Sequence, residues 1–370
     1  MCSLGEDEDV LTRATTVAAE LTSRLGVPVD AGTILTGRAA LLGLQPRGRV
    51  SAGGASRLMP TSDGWWALTL SRADDIATIP ALVESDAVPD DPWPTIEQWS
   101  IARSSDDVLG RATLLGLPAA RLGETTPQPP RVLPAGHPSE PRSAAGLLVA
   151  DLSSMWAGPL CGGLLAAAGA TVVKVESPTR PDGTRSGDPA FYDWINHGKL
   201  SYAVDFDRDR VRLRTLLATA DIVIEGSRPG VLARRGMSPD ALPGPDGRVW
   251  LRLTGYGPNS QRVAFGDDAA VAGGLVGTGP DGPQFRGDAI ADPLTGLEAT
   301  LTVTDSLQRG GGETIDVAMA WVAATSAALP AAPAPPDPPA PPPRYPAAAP
   351  LGADNAHVDA LVAQRSSLRC

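Results

Sequence analysis

The sequence predicts an α/β fold, in which an open, mainly parallel sheet forms a large domain and a smaller α+β domain lies beside it. Short β-branched runs alternate with Ala- and Leu-rich stretches over residues 145–329, and this alternation requires crossover connections, which favour parallel strands. The chain has 370 residues, enough for two or three domains of about 100–200 residues each. Its 40 Gly and 37 Pro residues exceed average usage, so part of the chain is expected to be linker.

The strand and helix signals of the large domain follow one another in order. Leu147–Leu152 is an apolar run of strand length, and the Ala-rich segment after Gly158-Pro159 predicts a helix that Gly169 ends. Further strands are predicted at Thr171–Val175, Ser201–Phe206, Asp221–Ile224, Val249–Leu253 and Thr314–Val317. These elements indicate a Rossmann-like sheet, whose ligands bind in the loops that follow the carboxyl ends of the strands.

The N-terminal part is less regular and is separated from the large domain by proline. It contains a predicted helix at Ala14–Leu25, a strand at Trp65–Leu70 and a helix at Asp106–Leu115. Two proline-rich stretches are expected to be extended, semi-rigid linkers. The predicted organisation is a small module 1–125, a linker 126–144, the α/β domain 145–329, a second linker 330–350 and a C-terminal segment 351–370.

Charge and cysteine usage exclude several classes of protein. The chain has 31 Lys and Arg residues and 42 Asp and Glu residues, which gives a net charge of -11. Proteins that bind nucleic acids or anionic membranes need a positive electrostatic field instead. Cys2, Cys161 and Cys370 are too far apart for a metal site or a disulfide framework. The N-terminus is acidic where a signal peptide is basic, and no apolar run is long enough to span a bilayer. We therefore predict a cytoplasmic protein with no metal, no membrane and no nucleic-acid partner.

Five loops carry the residues best suited to chemistry, although neither a P-loop nor a G-x-S-x-G segment is present. They are Ser153–Pro159, Asn196–Lys199, Gly226–Arg235, Gly255–Gly257 and Gly287–Gly296. Glu225–Gly230 follows a strand and precedes Arg234 and Arg235, which indicates a local anion site. Asp292 precedes Pro293, and Asp at an N-cap with Pro at the first helical position is a common structural combination. The same carboxylate could be a nucleophile, in which case the backbone N–H groups of the cap would lower its pKa and keep it ionised.

A series of motifs in the large domain resembles one enzyme family. The motifs are Asp151–Leu160, Ala168–Glu176, Asn196–Lys199, Ala220–Glu225, Arg228–Arg234, Leu253–Gly257, Gly273-Gly274 and Ala291–Gly296. In this order they resemble the family III CoA-transferases, the carnitine and bile-acid CoA-transferase family to which formyl-CoA transferases belong. The resemblance implies an acyl-CoA and a carboxylic acid as substrates, no tightly bound cofactor, and a homodimer.

The resemblance also assigns a reaction and a nucleophile. The family uses one aspartate, four residues before the Gly of the helix start, and that position is Asp292. The implied reaction is a covalent relay in which Asp292 attacks the acyl-CoA thioester and passes through an acyl-aspartyl anhydride and an aspartyl-CoA thioester. An acceptor carboxylate then takes the coenzyme A.

Four further residues match family positions that contact coenzyme A. Lys199 and Arg234 fall where the family contacts the CoA phosphates or adenine, and solvated surface charge is the less favoured alternative for both. Gly226 and Ser227 fall where the family lines its adenine pocket, with different residue types here.

The order of the modules departs from the family. Ser51–Leu58, with Gly53 and Gly54, resembles the family's glycine loop, which closes over the thioester, yet it precedes the large domain instead of following it. Asp106–Ala120 resembles a later part of the same small domain, and Pro350–Val362 resembles the family's closing segment. The chain is therefore expected to be a permuted member, in which the interlocked topology of the family's dimers is in question.

Two alternatives stay open at this point. The α-methylacyl-CoA racemases share the fold but need a histidine before the Gly-Gly pair, where this chain has Gly266-Asp267-Asp268. Because carboxylates are weak bases for a thioester α-proton, a transferase is favoured over a racemase or isomerase. A catalytically inactive CoA-binding protein is the other alternative, since a rearranged order can lose the assembled site.

Overall fold

The computed structural model describes residues 10–86, 88–329 and 341–367. Cys2, Cys370, the rest of the acidic N-terminus and most of the second proline-rich stretch (330–340) lie outside the described residues. The helices are α1 Val10–Leu25, α2 Ala31–Leu42, α3 Ala73–Ala77, α4 Ile79–Val83, α5 Trp93–Ile101, α6 Ser105–Leu114, α7 Ala157–Ala167, α8 Pro189–Asn196, α9 Arg210–Thr219, α10 Gly266–Ala272, α11 Ala291–Gln308, α12 Met319–Ala327 and α13 Asn355–Ser367. The strands are β1 Ser56–Pro60, β2 Trp65–Thr69, β3 Ala119–Arg121, β4 Arg131–Pro134, β5 Leu148–Leu152, β6 Thr171–Glu176, β7 Leu200–Ala203, β8 Ile222–Glu225, β9 Val249–Thr254, β10 Val276–Gly279, β11 Gly282–Phe285 and β12 Glu313–Ala318.

A seven-stranded sheet in the order β4-β12-β9-β8-β5-β6-β7 confirms the predicted α/β class. Neighbouring strands are parallel except for β4, which runs antiparallel to β12. From β5 the chain builds outward through β6 and β7, and then returns to place β8 on the other side of β5. Such a reversal opens a crevice at the carboxyl ends of the two strands on either side of it, here β5 and β8.

The strands of this sheet are apolar on both faces because helices cover both. In β5, Val149 packs into a core that includes Leu160 of α7 and Leu297 of α11. Its neighbour Leu148 packs on the opposite face with Leu213 of α9. Successive side chains of a strand point to opposite faces, so the continuous apolar runs in the sequence are those of a sheet buried on both sides.

The small module is divided between two locations. Strands β1, β2 and β3 form an antiparallel sheet whose one face packs on α4–α6, with Trp66 and Ile96 in the core. Its other face packs on α10, through Leu58 and Ala67 against Val271. Helices α1 and α2, in contrast, contribute to the core of the large domain. The N-terminal residues therefore supply both a separate small sheet and two helices of the large domain.

The first proline-rich stretch is more than a linker. Residues Arg131–Pro134 form β4, the edge strand that pairs antiparallel with β12. Polyproline II and an edge strand occupy the same broad region of φ/ψ space, and proline is tolerated at a sheet edge. For this reason composition indicated an extended segment but could not assign its hydrogen-bond partner.

The C-terminal segment closes the opposite edge of the sheet. Asp354 Oδ2 accepts a hydrogen bond from Ser201 N at 2.7 Å. The amide of Asn355 accepts from Ala203 N and donates to Ala203 O, each at 2.9 Å. These contacts satisfy the free edge of β7 and leave no template there for pairing with another chain.

Candidate active site

The loops that follow β5 and β8 meet at the carboxyl edge of the sheet. A Cβ atom on Gly226, after β8, would lie 3.1 Å from the Cα of Ser153, after β5. A Cβ atom on Gly158 would lie under 3.0 Å from Ser153 as well, so a side chain at position 158 would have no room. The structure thus brings together two of the loops in which the sequence predicts a ligand site.

Asp292 is the second residue of α11, which begins at Ala291 after the N-cap residue Ile290. The prediction that Asp292 caps the helix and Pro293 begins it is therefore wrong by two positions. The carboxylate Oδ1 accepts a hydrogen bond from Ala157 N, the first residue of α7, at 3.4 Å. Asp292 consequently lies at the N-termini of two helices, where the aligned backbone dipoles favour negative charge.

Close packing of α7 and α11 produces this arrangement. A Cβ atom on Gly296 would lie under 3.0 Å from Leu160 and 3.0 Å from Ala157 O. Glycine at position 296 therefore lets α11 approach the first turn of α7, which carries the N–H that faces the carboxylate. This contact gives a physical reason for glycine at that point of the Ala291–Gly296 motif.

Burial dominates the electrostatics of Asp292. Its exposed fraction is 9%, and loss of hydration raises the pKa of Asp292 to about 7. The Ala157 N–H and the Arg38 guanidinium lower this pKa, whereas Asp267 and Asp288 raise it. The expectation that cap donors keep the carboxyl at a low pKa is wrong, because desolvation exceeds the effect of one long hydrogen bond.

The start of α10 lies directly against this carboxylate. A Cβ atom on Gly266 would be under 3.0 Å from Asp292 Oδ2 and from Ala289 O. Burial raises the pKa of Asp267, and that of Asp268 to about 7. The segment without a histidine thus places one further carboxyl group, that of Asp267, close enough to raise the pKa of Asp292, whereas Asp268 accepts a hydrogen bond from Thr69 of the small sheet.

The glycine loop reaches the same place from the small sheet. Ser56 Oγ, directly after the loop that contains Gly53 and Gly54, donates to Asp267 Oδ2 at 2.9 Å. The other oxygen of Asp267 accepts from Ala289 N, before α11, at 3.2 Å. Asp267 therefore connects the loop to the helix that carries the candidate nucleophile, within a single chain.

Strained backbone occurs on both sides of Asp292. Three non-glycine residues in the described part of the chain have positive φ, and two of them are Met155 (φ 74) and Ala289 (φ 44). Met155 lies in the loop before α7, and Ala289 lies three residues before Asp292. Left-handed backbone at such residues persists only where surrounding contacts hold it, and it is concentrated at functional sites.

Arg38 is the site residue that sequence reasoning missed. Its helix α2 begins after the N-cap Asp30, and Arg38 Nη1 contacts Asp288 Oδ1 at 2.6 Å. The guanidinium lies 5.6 Å from the ring centroid of Trp156 and 5.3 Å from that of Phe191. One signal was available, because Arg38 is the single charged residue in the apolar helix α2. Its partners, however, are more than 100 residues away in sequence.

Lys199 has a different position from the predicted one. Its Nζ donates to Asp151 Oδ2 at 3.0 Å, to Pro159 O at 2.7 Å and to Asn196 Oδ1 at 3.0 Å. These contacts use all three protons of the ammonium, and the residue is 4% exposed. In this arrangement Lys199 has no proton for a CoA phosphate, which corrects the predicted contact. It instead joins β5 to the start of α7 and the end of α8.

Arg234 remains available to a ligand in the loop after β8. It is exposed in the short turn Ala233–Arg235, and no described residue forms an ion pair with it. Arg235, in contrast, pairs with Asp207 at 2.7 Å. Ser227 Oγ donates to the buried Glu225 Oε1 at 2.7 Å, which fixes the loop next to Gly226.

Both lysines of the chain are buried, and this gives a first prediction. Lys174 is 1% exposed and contacts Asp182 Oδ2 at 2.7 Å, and Lys199 is bonded as above. An amine-acylating reagent is expected to label neither lysine in the native protein and both after denaturation in urea, because acylation needs a free, accessible amine. Peptide mass spectrometry measures the labelling, and stoichiometric modification of native Lys199 would contradict the buried arrangement.

Other kinds of site have no support among the described residues. No group of three His, Cys, Asp or Glu side chains in that part of the chain is arranged to hold a metal ion. Burial raises the pKa of Cys161 to about 12, so it is an inert thiol. Of the described helices, none has the length and apolar character needed to cross a membrane.

Comparison with known proteins identifies relatives of the large domain. The model of CoA-transferase family III matches residues 145–353, more than half of the chain. A succinate–glutarate CoA-transferase from Agrobacterium fabrum is 31% identical over 208 residues, which cover 49% of this chain and 52% of that protein. A formyl-CoA:oxalate CoA-transferase from Rhodopseudomonas palustris is 30% identical over 193 residues, 47% of this chain and 45% of that protein. A solved structure of Rv3272 from Mycobacterium tuberculosis is 30% identical with a TM-score of 0.46, and covers 51% of this chain and 57% of its own. The chain spans about half the length of the curated relatives that it matches.

Proposed function

Because the chain belongs to CoA-transferase family III, we propose that it moves coenzyme A between two carboxylic acids with Asp292 as the nucleophile. One observation carries the proposal. The buried carboxyl of Asp292 lies at the N-termini of α7 and α11, with the glycine loop connected to it through Asp267. These contacts support the proposal, because they bring a candidate nucleophile, a backbone donor and the glycine-loop segment close together within a single chain.

The reaction is a balanced exchange at this carboxyl group. A carboxylate oxygen of Asp292 attacks the thioester carbonyl, the C–S bond breaks, and coenzyme A leaves as a thiolate from an acyl-aspartyl anhydride. The thiolate then attacks the aspartyl carbonyl, which releases the donor carboxylate and forms an aspartyl-CoA thioester. The acceptor carboxylate attacks that thioester to give a second anhydride. The thiolate finally attacks its acyl carbonyl, forms the new acyl-CoA and restores Asp292.

The surroundings of Asp292 suit these steps. Negative charge develops on its carbonyl oxygen each time the thiolate or the acceptor attacks the aspartyl group, and the Ala157 N–H already faces that oxygen. Burial keeps water from the anhydride, and Gly53 and Gly54 in the loop above it would complete the exclusion. Hydrolysis is thereby disfavoured relative to transfer.

Coenzyme A is proposed to bind across the switch point between β5 and β8. Gly226 and Ser227 would line the adenine end, and Arg234 would contact a phosphate. Arg234→Gln is expected to raise the KM for acyl-CoA about tenfold with little change in kcat, since one charged hydrogen bond is worth about 1.5–3 kcal/mol. Steady-state kinetics measure this effect, with Arg131→Gln on the distant strand β4 as the matched control. A KM equal to that of the control would remove Arg234 from the site.

A racemase or isomerase is the second candidate, and the carboxyl pair is the observation that favours it. Asp267 follows Gly266 in sequence, and the Asp292 carboxyl lies against Gly266 in space. Burial raises the pKa of both carboxyl groups. One of them could therefore remove an α-proton from the substrate and the other return it. Exchange of the substrate α-proton in heavy water without transfer of CoA would support this activity over the transferase.

The N-terminal position of the glycine loop leads to two further proposals. We propose that the module order is a permutation of the family order. The glycine-loop segment precedes the large domain in sequence and contacts it through Ser56 and Asp267. A homodimer is also proposed, by analogy with the family. Sedimentation velocity of the full chain tests it, and a single monomeric species at micromolar concentration would contradict it.

Chemical trapping tests the transferase directly. The protein would be incubated with a panel of acyl-CoAs and quenched with hydroxylamine or borohydride, and residues 287–309 would be mapped by mass spectrometry. Modification at Asp292 is the expected result, and the acyl-CoA that produces it identifies the donor. An unmodified peptide across the panel, in protein that binds coenzyme A, would favour the racemase or an inactive CoA-binding protein.

A further inference from the structure

A cavity of about 280 Å³ lies between the small sheet, the β10–β11 hairpin and the segment that precedes the glycine loop. Ser56 and Arg57 are successive residues of β1, whose side chains point to opposite faces of the strand. Ser56 contacts Asp267 at the candidate active site, while Arg57 lines this cavity. The two sites are therefore adjacent but separate.

Three arginines give the cavity a positive character. Arg47, Arg49 and Arg57 line it together with two acids, Glu97 and Asp281, in a chain whose net charge is -11. Glu97 is engaged by Arg49 at 2.8 Å, so the acids do not balance the arginines. A local excess of positive charge of this kind attracts anions even in an acidic protein.

Two of the arginines have unused donors. The Nε atom of Arg57 is buried and has no hydrogen-bond partner among the described residues, and its guanidinium lies 4.7 Å from the ring centroid of Trp93. The guanidinium of Arg47 likewise has no described ion-pair partner. Buried donors without a partner are costly and are normally satisfied, and a guanidinium suits the geometry of a carboxylate or phosphate.

The cavity is mechanically connected to the glycine loop. Val50 pairs with both Arg47 and Arg57, and Ser51 N donates to Ser56 O at 3.0 Å. A Cβ atom on Gly54 would be 3.5 Å from Arg47 Nη2. An anion held by Arg47 and Arg57 would therefore hold both arms of the hairpin whose tip is the glycine loop.

We propose that this cavity is an oxyanion site that binds a carboxylate or phosphate group and thereby fixes the position of the glycine loop. Its volume is at the lower limit of ordinary small-molecule sites, about 300–1,000 Å³, so it suits a small acid or one phosphate-bearing end of a larger molecule. The inference goes beyond the transferase proposal because binding here requires no turnover.

Titration calorimetry of the full chain tests the site with three probes, which are inorganic phosphate, succinate and adenosine 3′,5′-bisphosphate. We expect at least one probe to bind, and Arg47→Gln and Arg57→Gln each to weaken it about tenfold, as loss of one charged hydrogen bond implies. Arg57→Lys keeps the charge and is expected to weaken binding less. Arg131→Gln, on the far edge strand β4, serves as the matched control.

Hydrogen–deuterium exchange tests the connection to the loop. The bound probe is expected to slow amide exchange in a peptide spanning residues 47–58 in the wild-type protein and not in Arg57→Gln. Failure of all three probes to bind, or equal binding by wild type and both glutamine variants, would overturn the site. Unchanged exchange despite binding would overturn its action on the loop.

The probes also separate the sources of the anion. Tight binding of succinate assigns the cavity to a small acid, and preferential binding of the bisphosphate assigns it to the nucleotide end of coenzyme A. If binding of the bisphosphate is lost in Arg234→Gln and retained in Arg57→Gln, the nucleotide belongs to the β8 loop and the cavity loses that ligand. None of these outcomes depends on whether Asp292 is catalytic.

Discussion

Replacing Asp292 with Asn is expected to eliminate covalent trapping and to lower kcat for CoA transfer at least about a thousandfold, as loss of a nucleophile does in other covalent enzymes. The amide is nearly isosteric and can still lie beside the Ala157 N–H, but it cannot form the anhydride. Steady-state transfer between an acyl-CoA and an acid measures the loss, and Asp240→Asn at an exposed position is the matched control. Transfer within tenfold of wild type would exclude Asp292 as the nucleophile.

The pH dependence of the same carboxyl group gives a second readout. Because burial raises the pKa of Asp292 to about 7, the rate of single-turnover acylation is expected to rise about tenfold per pH unit below pH 7 and to level above it. A rate that stays constant between pH 5 and pH 8 would contradict acylation limited by this carboxylate.

Stability distinguishes a chemical defect from a folding defect in the Asn variant. The pKa of Asp292 is higher in the folded protein than in the unfolded chain, so the native state binds more protons and stability falls as the pH rises from about 4 to about 7. The neutral amide removes this penalty. The free energy of unfolding of Asp292→Asn, measured in urea, is therefore expected to exceed that of wild type by up to about 4 kcal/mol at pH 8. Near pH 4 the two free energies are expected to be equal.

The regular parts of the fold could be predicted because they depend on local sequence. The predicted strand Val249–Leu253 corresponds to β9 and Thr314–Val317 to β12, since apolar runs of that length between helical stretches are buried on both faces. The helix start at Asp292 was misplaced because the N-terminal residues of a helix depend on what lies against them, here α7 and the start of α10.

The sequence could predict those parts of the candidate site that depend on local sequence, but not contacts between residues that are distant in sequence. The sequence predicts ligand loops at Gly226 and after β5, because such loops follow the carboxyl ends of strands, and the structure places these two loops in contact. Arg38 was not predicted, since its partner Asp288 is more than 200 residues away in sequence. Ser56 lies within the predicted glycine-loop motif, but its contact with Asp267 spans a similar separation and was not predicted. Burial of a charge likewise depends on packing that a single sequence does not contain, and for that reason Lys199 resembled a surface contact for phosphate.

Replacing Lys199 with Met separates these two interpretations of the lysine. The structure predicts that the variant loses about 3–5 kcal/mol of unfolding free energy, because the buried Asp151 loses the ammonium that is hydrogen-bonded to it. Lys199 and Lys174 together lower the pKa of Asp151 despite its burial, so the Asp151 carboxylate contributes stability at neutral pH that is lost as the pH falls through the range in which Asp151 is protonated. Burial lowers the pKa of Lys199 itself.

Urea denaturation measures the effect, and two variants control it. Arg208→Met removes a 90% exposed arginine that lies 3.9 Å from Asp205, and is expected to cost less than about 1 kcal/mol. Lys199→Met combined with Asp151→Leu removes both charges and is expected to recover most of the loss, since replacing a whole buried pair by apolar side chains is often neutral. If Lys199 instead contacted coenzyme A, the single variant would keep wild-type stability and raise only the KM for acyl-CoA, and that result would restore the role that the family resemblance implies.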